Sequence, residues 1–366
     1  LFPVMLVSDR DFDLAPNLLA VKNGVIDLDT GAFRAAQPAD WLRRQMNAEF
    51  DAAAKCPMWI AFLKSITQDD LPFARYLQRC IGYTLYGHAR EQVFFVPYGT
   101  GANGKGTFMR VTKDIAGDYG ISVKPSLLTN AYGDNPNAPS PAIARLHGAR
   151  HVICTETKED RGLDKAFVKQ FAGGDELVGR ATYGEEFSFK PEGKLWLSTN
   201  QLMEIDANDE PMWRRLRLLP FAASFLKQND DKQLEEKLLK ERSGILNWML
   251  KGARQYASEG LGGCPAVERA EATHRQRMDS VAAWLKACCE EAPTDENGLV
   301  DATVTLRYIT QAGIAHESYK AYCDGHLRAA LSAAKFRAQL VAKGFVATRR
   351  SKHNLFVGFR LRESKA

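Results

Sequence analysis

The sequence predicts an α/β protein: a core built on a parallel sheet, preceded by a mainly helical N-terminal region and followed by a helical unit that closes in a basic hairpin. Three observations predict it. Short, nearly continuous apolar runs recur at VFFVPY (93–98), HVICTE (151–156), LWLSTN (195–200) and LRLLPF (216–221). Runs of this kind, separated by helical stretches, mark strands buried on both faces, as in parallel sheets covered by helices. A glycine-rich stretch follows the first run directly. On either side of this region, apolar residues three and four apart mark amphipathic helices.

Taken in order, VKNGVIDL reads as two short strands around an Asn23-Gly24 turn. WIAFLKSI and FARYLQRCIGYTL read as helices, so residues 1–90 are expected to form a mainly helical domain suited to oligomerisation. Residues 91–258 form the α/β domain. At its end a Lys/Glu-rich helix and GILNWMLKGARQYA are read as a small helical lid or subdomain. SEGLGGCPAVERA (258–270) is a linker candidate in which helix can resume at once. Residues 277–366 form the third unit: SVAAWLKACCEEA, SYKAYCDGHL and AAKFRAQLVAKG are helical, with Gly344 as the last helix's stop, and FVATRR-SKHN-LFVGFRL is a hairpin. Helices followed by a basic hairpin resemble a winged-helix domain.

Composition excludes several classes. The 45% hydrophobic and 25% charged fractions exclude wholesale disorder. No apolar run approaches the ~18 residues of a membrane span, so no membrane partner is expected. The start lacks a basic region and turns acidic, unlike a signal peptide, and it begins with Leu, which suggests a piece of a longer chain. The seven cysteines are scattered and never spaced C-x-x-C, so reduced thiols in a cytoplasmic protein are expected rather than a zinc site. The net charge of +5 is uneven: residues 296–366 hold 12 Lys+Arg against 5 Asp+Glu, or +7, leaving −2 for the rest. A concentrated basic tail is the electrostatic footprint of a nucleic-acid-binding module.

The strongest motif is Gly99-Thr100-Gly101-Ala102-Asn103-Gly104-Lys105-Gly106-Thr107, set between an apolar strand and the helical stretch TFMRVTKDIAG. A strand, a glycine loop and a helix N-terminus make a phosphate cradle. The glycines let backbone N–H groups face the phosphates, the helix end adds partial positive charge, and Lys105 reaches the terminal phosphates. Residues Gly99, Gly101, Ala102, Asn103, Gly104, Lys105, Gly106 and Thr107 are therefore the expected ATP contacts. Gly106 stands where a Ser or Thr would normally bind Mg²⁺, so Thr107 is the candidate hydroxyl.

HVICTE ends an apolar strand in Glu156, expected on a strand adjacent to the loop. A carboxylate there can hold Mg²⁺ or polarise the attacking water, and its two roles stay undivided. LWLSTN places Asn200 at a strand end, where a neutral amide can bond the γ-phosphate or orient water. DEPMWRRLRLLPF places Arg214 and Arg215 just before another strand. Guanidiniums suit the charge that builds on phosphoryl oxygens in the transition state.

This order, phosphate loop, acidic strand, Asn-ended strand and Arg before a strand, resembles the superfamily 3 helicases, a ring-forming AAA+ branch. The phage, plasmid and viral primase-helicase group is the nearest. NGVIDLDTG, CPMWIAFL…YLQRCIGYTLYG, GANGKGTF, VKQFAGGDELVGRATYGEEFSF, LWLSTN and WRRLRLLPF carry the resemblance over about residues 20–225.

The resemblance implies an AAA+-type P-loop NTPase core with Lys105, Glu156, Asn200 and Arg215, or its rival Arg214, as catalytic residues. It implies ATP and Mg²⁺ with Thr107 and Glu156 as metal ligands, and a hexameric ring translocating 3′ to 5′ on single-stranded DNA at replication forks in the host cytoplasm. A primase domain upstream is a further implied partner. It also implies a DNA-touching hairpin before the Asn-bearing strand, here residues 176–190, with Tyr183 near its tip and Arg180, Lys190 and Lys169 as phosphate contacts. Papilloma- and polyomavirus members often carry Lys and His at that tip, and this chain departs from them with Tyr183-Gly184. In the tail, Arg337 on the last helix and Arg349, Arg350 and Lys352 on the hairpin are the expected DNA contacts, with Phe336 and Leu340 packing inward.

Two rivals remain. The loop also resembles those of adenylate kinases, which carry it at the chain start and lack the Asn-then-Arg order. An ATP-binding origin-recognition or ring-scaffold protein with little turnover would fit the missing hydroxyl after Lys105.

Overall fold

The computed structural model describes residues 12–129, 141–155, 163–180, 184–225, 231–293, 307–326, 330–350 and 353–362. The chain divides into two compact units, Leu1–Glu204 with Glu210–Ala272, and Ile205–Asp209 with Thr273–Ala366. The described part of residues 1–90, a stretch expected as a separate domain, falls in the first unit and contributes to its hydrophobic core from Leu19 onward. Among the described residues no helix is long and apolar enough to cross a membrane.

The first unit opens with β1 (Leu18–Val21), β2 (Gly24–Asp27) and β3 (Phe33–Arg34), an antiparallel sheet in that order, so this region mixes strands with helices. The hairpin turn is Lys22-Asn23 and not Asn23-Gly24, since Val21 pairs with Gly24. The Asn23 side chain fixes it by exchanging two 2.9 Å bonds with the backbone of Phe50. Gly24 is in the strand because a Cβ there would stand 2.3 Å from the Arg34 carbonyl.

Two helices follow, α1 (Pro57–Thr67) and α2 (Leu71–Thr84). The first has no side-chain cap of its own. Glu241, distant in sequence, accepts from the Met58 and Trp59 N–H groups at 3.1 and 3.0 Å. That satisfies two of the donors a helix start leaves open. The second is capped locally, with Asp70 accepting from Phe73 N–H at 2.9 Å.

The parallel sheet comprises β4 (Phe94–Tyr98), β5 (Gly120–Val123), β6 (His151–Thr155), β9 (Lys194–Ser198) and β10 (Leu216–Pro220), in the order β10-β4-β9-β6-β5. The four predicted strands are all present, and short β5 joins them at the edge. Between them lie α3 (Lys105–Ala116), α4 (Pro141–Ala144), α5 (Lys165–Gly173), the antiparallel hairpin β7 (Leu177–Arg180) and β8 (Glu186–Phe189), and α6 (Glu210–Trp213). The core is aromatic: Trp196 lies 4.5 Å from Phe95 ring to ring, and Trp59 stacks on Phe108 at 5.7 Å.

α7 (Leu234–Leu239) and α8 (Arg242–Glu259) complete the unit. The expectation of a lid is corrected here for the second of them. α8 buries Ile245, Leu246, Trp248, Met249 and Tyr256 and packs against α2. The two helices cross backbone on backbone: a Cβ on Gly82 would stand 2.0 Å from the Gly252 carbonyl carbon, and one on Gly252 would stand 2.0 Å from Gln78 O. An amphipathic pattern reveals a buried face but not what buries it. The linker candidate becomes helical at Pro265, where α9 (Pro265–Met278) begins.

The second unit holds α10 (Ser280–Cys288), β11 (Cys289–Glu291), β12 (Ile309–Gln311), α11 (Ala312–Gly325), α12 (Ala333–Ala342), β13 (Val346–Arg350), β14 (His353–Val357) and β15 (Phe359–Leu361). Its strands form a β12-β14-β13 sheet and a β11-β15 pair. Trp284, Tyr319, Phe336, Phe356 and Phe359 make its core. The predicted three helices and hairpin are present.

Candidate nucleotide site

The sheet order creates a switch point. From β4 the chain passes to the far edge, returns through β6 and β9, and then places β10 on the other side of β4. In such sheets ligands bind beyond the carboxyl ends of the strands at the place where the order reverses. The glycine loop leaves β4 there, after Tyr98.

Its backbone is held in conformations that favour glycine: φ is +96° at Gly101 and +82° at Gly104, and Ala102 shares the region at +44°. Space restricts two positions as well. A Cβ on Gly99 would stand 2.2 Å from Asn103 Nδ2, and one on Gly104 would stand 2.4 Å from Ile66 Cγ2. The segment that follows β10 clasps the loop. Asn103 Nδ2 donates to Phe221 O at 3.1 Å, and Phe225 N–H donates to Ala102 O at 2.8 Å.

Lys105 begins α3 and its ammonium gathers the predicted residues. It donates to Gly99 O at 2.8 Å, to Asn103 Oδ1 at 3.0 Å and to Asn200 Oδ1 at 3.2 Å. Asn200 lies 95 residues away, just past β9. Lys105 is only 4% exposed, and burial lowers its pKa from the usual lysine value. Among the described residues this buried ammonium bonds only neutral oxygens, which leaves it a cation ready for a stronger acceptor. Thr107 is half-buried in the first turn of α3, where the partial positive charge of a helix start is concentrated.

The structure does not bring all predicted residues together. Glu156 lies outside the described residues. Its strand β6 is not adjacent to the loop strand as expected: β9 stands between β6 and β4 and puts Asn200 nearest the loop. Alternating short apolar runs cannot reveal such an insertion. Arg214 and Arg215 sit at the opposite end of the sheet. Arg215 O accepts from Phe94 N–H at the start of β4, whereas the glycine loop leaves its end. Four residues of strand separate them, about 13 Å. Arg215 Nη1 donates to Pro211 O at 2.9 Å, and the pKa of Arg215 is lowered by burial and the neighbouring Arg214, with Asp175 opposing.

The hairpin expected before the Asn-bearing strand is present as β7 and β8. Arg180 ends β7, exposed, its Nε donating to Gly184 O at 3.3 Å; Lys190 follows β8, also exposed, and half-buried Lys169 lies on α5. Tyr183 lies outside the described residues. In the second unit Phe336 and Leu340 are buried as expected, while Arg337, Arg349 and Arg350 are exposed. Arg337 lines a groove of about 440 Å³ with His316, Thr348 and Asn354. Lys352 lies outside the described residues.

Sequence reasoning passed over two features. One is a buried pair of cations below the sheet. Arg150 donates to Leu18 O and Leu85 O at 3.0 and 2.8 Å, and Lys194 donates to Tyr86 O and Glu192 O, tying β1 and the end of α2 to β6 and β9. Nothing in composition marks these two among 49 basic residues. The other is Arg110, one helical turn beyond Gly106, whose Nε donates to Glu235 Oε2 at 2.7 Å. The i,i+4 spacing from Gly106 was a legible signal.

Residues 3–68 match the family described as D5 N terminal like. The chain is 32% identical over 291 residues to "Putative helicase L207/L206" of Acanthamoeba polyphaga mimivirus, covering 74% of this chain and 30% of that protein. It is 29% identical over 237 residues to "Putative helicase 184R" of Invertebrate iridescent virus 6, covering 61% and 24%. Over 313 residues it is 23% identical to "Putative primase C962R" of African swine fever virus, covering 78% and 32%. The chain thus spans about a third or less of these relatives. In fold it is similar to the apo C-terminal region (305–718) of NrS-1, with a TM-score of 0.54 at 12% identity over 85% of this chain and 77% of that one. On these sequence relatives, the chain belongs to the phage and viral primase-helicase family.

Proposed function

We propose that this chain is the motor part of an ATP-dependent replicative DNA helicase of the superfamily 3, AAA+ type, acting as a ring on single-stranded DNA. The observation that carries the proposal is the convergence of Gly99, Asn103 and Asn200 on the ammonium of Lys105 at the carboxyl end of β4. Those groups come from the loop and the adjacent strand, and they leave one buried cation where a triphosphate would lie.

In this reading the N–H groups of residues 101–107 and the start of α3 cradle the phosphates. Lys105 exchanges neutral acceptors for phosphate oxygens. Asn200, released from Lys105, orients the γ-phosphate or the attacking water. A hydroxyl and a carboxylate are oxygen donors of the kind magnesium takes, so Thr107 and Glu156 are the residues that would hold Mg²⁺, while Gly106 offers no donor. The ion would neutralise charge on the phosphoryl group.

Arg215 is too far from its own loop to reach it, which supports its acting on the loop of a neighbouring copy, with Arg214 beside it. A ring with shared sites follows, and the hexamer is the size proposed. The β7–β8 hairpin with Arg180 and Lys190, and Arg337, Arg349 and Arg350 of the second unit, supply the DNA contacts. An upstream primase is the partner that the relatives' names suggest.

The test is unwinding of a forked duplex, with the particle's mass measured with and without ATP and single-stranded DNA. ATP-dependent strand separation by a multimer is expected. A monomer under every condition, or strand separation that ignores ATP, would refute the proposal.

A further inference from the structure

Gly106 occupies the place where a hydroxyl residue normally follows the loop lysine, and the structure shows what borders the space left there. A Cβ at position 106 would stand 2.8 Å from Arg110 Nη1. The side-chain space of residue 106 is already held by a guanidinium from the next turn of α3. Long helical side chains point back toward the helix start, so Arg110 is directed at the loop.

Its orientation is fixed from the other side. Glu235 Oε2 on α7 accepts a hydrogen bond from Arg110 Nε at 2.7 Å, leaving Nη1 and Nη2 without a partner among the described residues. Arg110 remains half-exposed, with 53% of its side chain accessible. Among the described residues no carboxylate bonds the Nη groups, and Nη1 lies nearest Gly106.

We propose that Arg110 is a second phosphate-binding cation of this site, held ready by Glu235 and admitted by Gly106, and that it contacts the polyphosphate of the bound nucleotide together with Lys105. A planar guanidinium offers two parallel donors to phosphate oxygens, which a hydroxyl cannot. The inference rests on the nucleotide-binding reading above. Glu235 acts through Arg110 and is a positioning residue.

The experiment measures the Kd of a fluorescent ATP analogue for wild type, Arg110→Ala, Arg110→Lys, Glu235→Gln, Gly106→Ala and the double variant Gly106→Ala/Arg110→Ala. Loss of Arg110 should raise Kd on the order of tenfold, discounted for its exposure. Lys at 110 should recover part of the loss by charge alone, and Glu235→Gln should show a smaller loss. The Gly106→Ala change should weaken binding only while Arg110 is present, because the added methyl displaces the guanidinium; in the double variant it should add nothing.

Tight binding by wild type and equal binding by Arg110→Ala would overturn this inference alone. So would a Gly106→Ala penalty that persists without Arg110. Wild type that binds no nucleotide would overturn the nucleotide reading as well, and the two failures are thereby told apart. Thermal melting of Arg110→Ala, an exposed change, should stay close to wild type.

Discussion

Mixing two inactive variants tests the shared site. Arg215→Ala leaves the loop intact but removes the proposed donor. Lys105→Ala leaves the donor intact but disables the loop. The structure sets the geometry: β10 starts opposite Phe94 and the loop leaves after Tyr98, so about 13 Å of strand separates donor and loop within one chain. No arginine side chain spans that distance. Each variant alone should lose on the order of 10³-fold or more in turnover, the scale of an arginine supplied across an interface. In a ring assembled from equal amounts of both, about one interface in four pairs a sound loop with a sound donor, and ATP hydrolysis should return to about a quarter of wild type. The assay is steady-state phosphate release after the two proteins have been mixed and allowed to exchange. If the mixture stays at the level of its two components, Arg215 does not act between copies, and the donor assignment falls.

Other consequences are structural. Gly252→Ala puts a methyl 2.0 Å from Gln78 O, and Gly82 faces it across the same crossing, so α2 and α8 must part. Overpacking against backbone should cost about 3 kcal/mol, seen as a lower urea midpoint. Replacing Glu241 by Ala removes the distal cap of α1 and should cost about 1 kcal/mol by the same measurement. Acid acts through His151, whose pKa burial lowers to about 3. A depressed histidine makes the fold lose stability as pH falls from about 6.5 toward 3, about 2 kcal/mol by pH 5, and His151→Phe should flatten that limb. Glu271 has the opposite sign: burial raises its pKa to about 7, so its contribution is full at acid pH and is lost as pH rises to about 7, which Glu271→Gln should abolish.

Much of this molecule was legible in its sequence because its elements obey local rules. Four strands announced themselves as apolar runs, since strands covered on both faces have no polar side to show. The loop was legible because left-handed φ values and a close approach at Gly99 and Gly104 both demand glycine. What stayed hidden depends on partners. Strand β5, GISV, is short and only its first residue is buried, so it lacks the apolar signature. The insertion of β9 between β4 and β6 is a fact of topology that no local pattern encodes. The burial of α8, the capping of α1 by Glu241 and the burial of Arg150 and Lys194 all rest on contacts between residues far apart in the chain. The Asn23-Gly24 pair misled for a related reason: its glycine answers the approach of β3 and not the geometry of a turn.

The central claim is that residues 99–107 hold a triphosphate whose cleavage serves movement on DNA. The most direct measurement is ATP hydrolysis by wild type and Lys105→Ala, each with and without single-stranded DNA. Hydrolysis should rise with DNA and vanish in the variant. Equal hydrolysis by both proteins, or none stimulated by DNA, would contradict it.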